Sequence, residues 1–174
     1  MVEIPVDPVV EPVVRARAGA ERAVLESFLD LQRAIVLRKV RGLTDADARR
    51  RLVPSATTLG GLLRHLALVE RNWFVCLLDP GPGDVYLTSE EEATASFALA
   101  ESDTVESLAA GYERACARSR EIAARFDLDH VVPHPQLGEV SLRWILTHLI
   151  EETARHAGHA DILRELTDGS TGAL

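Results

Sequence analysis

SLRWILTHLIEETARHAGHADILREL, residues 141–166, reads as one long helix, capped by Ser141 and closed before Asp168-Gly169. Leu142, Ile145, Leu149, Ala160 and Leu163 recur at helical steps and define its apolar face. Three comparable patterns precede it. Val24, Leu25, Phe28, Leu31, Ala34, Ile35 and Leu37 mark an amphipathic helix from about Glu21 to Val40, stopped by Gly42. A second runs from about Thr58 to Leu78, with Ser55 or Thr57 as cap and Asp79-Pro80-Gly81-Pro82-Gly83 as its stop. A third opens at Asp103 or Thr104 and reaches about Phe126. No segment shows a convincing two-residue alternation, so the expected fold is all-α, a four-helix bundle. The long connection between the second and third helices, residues 84–102, has room for a short acidic helix from Ser89 and permits a crossover.

The remaining segments frame this core. Residues 1–18 carry Pro5, Pro8 and Pro12 and are expected to form an extended arm. Residues 19–168 make a single domain and 169–174 a short tail. A short helical stretch opens at Thr44 and ends before Pro54. Residues 127–140 are a proline- and glycine-punctuated linker with room for a few extended residues, on which His130 and His134 are expected to be exposed.

Composition narrows the functional classes. Of the 174 residues 47% are hydrophobic, enough to bury a substantial core. Nineteen Lys and Arg against 27 Asp and Glu leave a net charge of −8, which repels phosphate backbones and argues against a nucleic-acid partner. Arg49-Arg50-Arg51, the densest basic run, lies beside Asp45 and Asp47 and reads as a solvated face. No apolar run approaches the length of a membrane span, and the opening residues lack the basic region of a secretory signal; a cytoplasmic protein is expected. Cys76 and Cys116 fall among apolar neighbours and read as buried thiols.

The chemistry concentrates on the last helix. His148, Glu152, His156 and His159 are spaced by 4, 4 and 3, so they share a stripe about 80° wide. His156 falls near the middle of the buried face, Glu152 beside it, and His148 and His159 towards the edge. A buried glutamate and histidine one turn apart need partners. His65, on the flank of the second helix's apolar face, supplies one. His65, Glu152 and His156 then form a candidate three-ligand metal site with an open position, for which Zn(II) is the first choice and Ni(II), Fe(II) or Mn(II) are alternatives. His148 and His159 read as residues that steady the ligands or line the pocket. A phosphate-cradling glycine loop, an H-E-x-x-H pair and a serine-nucleophile elbow are all absent from the sequence.

The stretches Leu59-Gly60-Gly61-Leu62-Leu63-Arg64-His65-Leu66-Ala67 and Ser141 to Asp161, together with Phe28-Leu29-Asp30-Leu31-Gln32-Arg33 and Val69-Glu70-Arg71-Asn72-Trp73-Phe74, resemble the DinB-like bundle family. The resemblance is strongest to its branch of mycothiol-dependent transferases and extends over nearly all of the chain after the arm. It implies a divalent metal held by His65 and His156, with Glu152 where much of the wider family has a histidine, as in the thiol-using branch. His159 stands where many relatives carry glutamine. The implied activity is S-transfer. The metal lowers the pKa of a low-molecular-weight thiol, and the thiolate attacks an electrophile. Arg64, Arg143 and Arg155 neighbour the site in sequence and are candidates for binding the thiol. Two other readings stand beside this one: a metal-dependent hydrolase, and a non-catalytic bundle that binds a small molecule or a partner. Leftover apolar helix faces would suit a homodimer.

Overall fold

The computed structural model describes residues 7–172, and within them the chain is mostly helical. The helices are α1 (Glu11–Ala16), α2 (Glu21–Val40), α3 (Asp45–Ala48), α4 (Leu59–Glu70), α5 (Glu90–Ala95), α6 (Val105–Ala123) and α7 (Leu142–Asp168). α4 does not stop at Glu70. It runs on through Arg71–Leu78 as a wider π-type helix, closed by a bond from the Asp79 N–H to the Phe74 carbonyl. The long helices α2, α4 with its π extension, α6 and α7 pack against one another. None of the described helices is long and apolar enough to cross a membrane.

Several expectations need correction. The expected extended arm, residues 1–18, is helical over Glu11–Ala16, with Pro12 in the first turn, where a missing N–H leaves no bond unmade; residues 1–6 lie outside the described part. The fold is not purely α. Residues 131–141 form an antiparallel hairpin, β1 (Val131–His134) and β2 (Gly138–Ser141), in which Val131 faces Ser141 and His134 faces Gly138. Gly138 sits at φ +82°, a conformation glycine adopts without strain, and the hairpin delivers Ser141 directly as the cap of α7. The cap of α4 is Thr58, whose hydroxyl accepts from the Gly61 N–H. α6 ends at Ala123 rather than Phe126.

The core falls into two apolar halves with a polar layer between them. One half gathers Leu29, Phe74, Ile122, Leu142, Ile145 and Leu149. The other gathers Val36, Leu62, Leu66, Tyr112, Ala160 and Leu163. Each bundle helix places a buried polar side chain between its contributions to the two halves: Arg33 on α2, Glu70 on α4, Ser119 on α6 and Thr153 on α7. Arg33 Nε and Nη2 donate to both oxygens of Glu70 at 2.7 and 2.6 Å, and Nη1 donates to Asp30 at 2.8 Å. Arg33 is only 3% exposed and Glu70 only 1%. This pair explains why the apolar face expected for α2 is displaced. With Arg33 turned inward, Leu29, Val36 and Val40 join the expected Ile35 in the buried series and Phe28 is left 41% exposed.

A buried pair of this kind is costly to break and cheap to replace whole. Glu70→Ala should lower the unfolding free energy by about 3–5 kcal/mol in urea titration, because it strands the guanidinium. The double variant Arg33→Met/Glu70→Leu should recover most of that loss. A single-variant cost below about 1 kcal/mol would mean that the pair does not organise the interior.

Candidate metal centre

α4 and α7 run antiparallel, so Leu62 and Leu66 pack with Ala157 to Leu163 while Phe74 and Leu77 pack with Leu142 to Leu149. Where they pass, His65 from α4 meets Glu152 and His156, one turn apart on α7. One nitrogen or oxygen from each of the three lies within 4.8 Å of the others. Glu152 Oε1 is 3.0 Å from His156 Nε2 and 3.3 Å from His65 Nε2. The two imidazole rings meet edge to face at 4.7 Å.

The tautomer of His65 follows from its other nitrogen. Ser96 donates its hydroxyl hydrogen to the Ala93 carbonyl at 2.5 Å, so its oxygen accepts from His65 Nδ1–H at 2.6 Å. The proton is thus on Nδ1, and Nε2 turns a lone pair towards the Glu152 carboxylate. The hydrogen bond from His156 Nε2–H, with Arg155 nearby, holds the Glu152 carboxyl well below the usual carboxylate range, so it is an anion. A lone pair and a carboxylate oxygen at 3.3 Å repel unless a positive charge stands between them. The donor set therefore fits a cation.

Ser96 and Phe97 reach His65 because α4 opens with two glycines. A Cβ on Gly61 would lie 2.7 Å from the Phe97 carbonyl oxygen, and one on Gly60 would lie 3.2 Å from the Ala48 carbonyl oxygen. Their absence lets the segment after α5 lie on the first turn of α4, where Phe97 stacks on the His65 ring at 4.2 Å.

The other expected residues separate in space. His159 is exposed, with Nδ1 3.4 Å from His156 Nδ1, so it can accept the proton of that nitrogen. Burial and the neighbouring His156 push its pKa down, keeping it a neutral acceptor at neutral pH. His148 does not touch the triad; it stacks on Trp144 at 5.1 Å and meets Trp73 edge-on at 4.7 Å. Of the three arginines only Arg155 approaches the site, with Nη1 3.6 Å from Glu152 Oε2. Arg64 pairs with Asp103, and Arg143 with Glu21 and Asp129.

His134, expected to be exposed, is 6% exposed. Its Nδ1 accepts the backbone N–H of both Gln136 and Leu137, and its Nε2–H donates to the Tyr86 hydroxyl at 2.9 Å. It stacks under Trp73, and Tyr86 meets Trp73 edge-on. His130 is exposed as expected. Sequence reasoning missed this aromatic group, yet a signal was present. Trp73 lies eight residues after His65 and Trp144 eight before Glu152, about two turns from the triad on antiparallel helices, so the two rings must meet.

Fold and site together define a helical bundle with a His/Glu/His cluster between two of its long helices. The family model described as mycothiol-S-transferase matches residues 24–169, and the chain belongs to this DinB-like family. The crystal structure of a conserved protein from Enterococcus faecalis superposes with a TM-score of 0.60 at 18% identity, over 88% of this chain and 100% of that one. That likeness shows the fold alone. Among curated proteins none matches the chain significantly.

The glycines give a matched test. Gly61→Ala should destabilise the protein by about 1–3 kcal/mol, since backbone must move. Gly158→Ala, in mid-α7 with open space around its would-be Cβ, should stabilise it by up to about 1 kcal/mol. Thermal denaturation of both reads the difference, and equal effects would contradict the close approach.

Proposed function

We propose that the protein is a divalent-metal-dependent S-transferase that activates mycothiol or a closely similar thiol for attack on an electrophile. The fold is read as the family's four-helix bundle, to which α1, α3, α5 and the hairpin are additions. The observation that carries the reading is the lone pair of His65 Nε2 facing the Glu152 carboxylate at 3.3 Å, with His156 completing a set of three ligand atoms. His65, Glu152 and His156 would hold the ion, with Zn(II) the first choice for two imidazoles and a carboxylate. The ion's contribution, once bound, is to lower the pKa of a thiol so that the thiolate is present at neutral pH.

The residues around the ligands have separate tasks. Ser96 fixes the tautomer of His65, and His159 can do the same for His156 by accepting its Nδ1 proton. Phe97 covers one face of His65 and keeps water from that side. The anionic Glu152 offsets part of the ion's charge, so the nucleophile is held less tightly than in an all-histidine site. In the transfer a carbon–sulfur bond forms at the electrophile as its leaving group departs with the bonding electron pair.

The test is elemental analysis of the purified protein beside an assay of mycothiol transfer to 1-chloro-2,4-dinitrobenzene. The expected result is about one metal per chain, with His65→Ala and Glu152→Ala losing both metal and at least about 100-fold in rate. Ser96→Ala should keep the site and weaken its metal affinity by about 10- to 100-fold. Full transfer activity in metal-free His65→Ala protein would overturn the proposal.

A further inference from the structure

Two consecutive glutamates on α7, Glu151 and Glu152, are followed by Arg155, four residues after the first and three after the second. On a helix both spacings bring side chains together, so one guanidinium stands within reach of two carboxylates. The structure uses both. Arg155 Nη2 donates to Glu151 Oε1, and Arg155 Nη1 stands 3.6 Å from Glu152 Oε2. An exposed pair such as Arg155 with Glu151 is worth little by itself. Its consequence here is geometric, because it ties the guanidinium down beside the carboxylate oxygen that the imidazoles do not use. A guanidinium suits this position, since its planar fork offers one nitrogen to each carboxylate, where a lysine ammonium on its flexible stem would have to choose between them.

Glu152 divides the work of its two oxygens. Oε1 takes both histidines, at 3.0 Å from His156 Nε2 and 3.3 Å from His65 Nε2, while Oε2 has Arg155 as its ion-pair partner. The carboxylate is thus held from the bundle side by two imidazoles and from the solvent side by a half-exposed guanidinium. A carboxylate can take a divalent cation with one oxygen or with both. Two-point ligation would require Oε2 to turn away from Arg155 and towards the ion that Oε1 and the imidazoles hold. Arg155 opposes that turn. It would lose its own partner, and like-charge repulsion keeps it from following Oε2 to the ion.

We propose that Arg155 is a positioning residue that keeps Glu152 a one-oxygen ligand and so leaves a coordination position open for the thiol. This rests on the function proposed above, although the ligation itself needs only the metal. With Oε2 held back, His65, Glu152 and His156 offer one atom each, the number found in an open zinc site. With Oε2 released, a fourth protein atom fills the place of the incoming sulfur. Arg155, one of the arginines expected to bind the thiol, then acts on it through the carboxylate instead.

The test is infrared difference spectroscopy of zinc-loaded against metal-free protein carrying isotopically labelled glutamate. The gap between the antisymmetric and symmetric carboxylate stretches is wide for ligation by one oxygen and narrow for ligation by two, and Glu152→Gln identifies the band by removing it. The wild type should show the wide gap and Arg155→Met the narrow one. Competition with a chromophoric chelator should show Arg155→Met binding Zn(II) about tenfold more tightly, the opposite of what loss of an ordinary supporting residue does. N-acetylcysteine, titrated into cobalt-loaded protein and followed by its sulfur-to-cobalt charge-transfer band, should bind Arg155→Met about tenfold more weakly, because most molecules then lack the open position. The same gap in both proteins overturns the proposal, as does weaker zinc binding or unchanged N-acetylcysteine binding in Arg155→Met. A wild type that holds zinc but transfers no thiol ends the S-transferase reading, and the infrared gap still decides the role of Arg155. A wild type that takes up no zinc overturns both.

Discussion

One polar layer inside an otherwise apolar bundle sets the rest of the structure. Arg33 and Glu70 form its centre, with two parallel hydrogen bonds and almost no solvent contact. A pair so buried tolerates little rotation of either helix, because any turn that separates the partners strands a charge in low dielectric. α2 and α4 are therefore fixed about their axes, and the apolar faces of both follow. Glu70 is also the last residue before α4 widens into its π-type continuation, so the layer marks the point from which Trp73 and Phe74 are aimed. The His/Glu/His cluster stands near this level of the bundle, where α4 passes α7. His65 thus hangs on a helix that the Arg33–Glu70 pair holds in place.

The periodic signals were read correctly where burial alone decides. Leu142, Ile145, Leu149, Ala160 and Leu163 are all buried, as the spacing of α7 requires. α2 shows the limit of the same reasoning. Its apolar residues suggest one face, yet the face is chosen by a charge whose partner lies 37 residues away, and periodicity holds no record of that pairing. The hairpin escaped for a different reason. Each strand is four residues long and is held by its register and by Gly138, and proline in β1 argues against a strand in any local reading.

The site divides in the same way. The three residues of the proposed metal site are legible because two are one turn apart on a buried face and the third lies on an apolar flank. Ser96 and Phe97 were not visible, because they lie in a loop whose path depends on two missing Cβ atoms in α4. The glycine pair was the available sign, since glycines inside a helix are costly and call for a packing reason. His134 was misplaced in the exposed set because its burial depends on the turn it closes with its own ring nitrogen. The loop residues matter as much as the His/Glu/His cluster itself. Without Ser96 the His65 proton could reside on either nitrogen, and the lone pair facing Glu152 would be lost for part of the time.

The most direct test of the proposed metal site is X-ray absorption spectroscopy of the protein loaded with one equivalent of Zn(II). The bound Zn(II) should show a shell of nitrogen and oxygen donors with the outer scattering of two imidazoles, reduced to one in His65→Ala. A shell with no imidazole scattering, or one unchanged by His65→Ala, would contradict it.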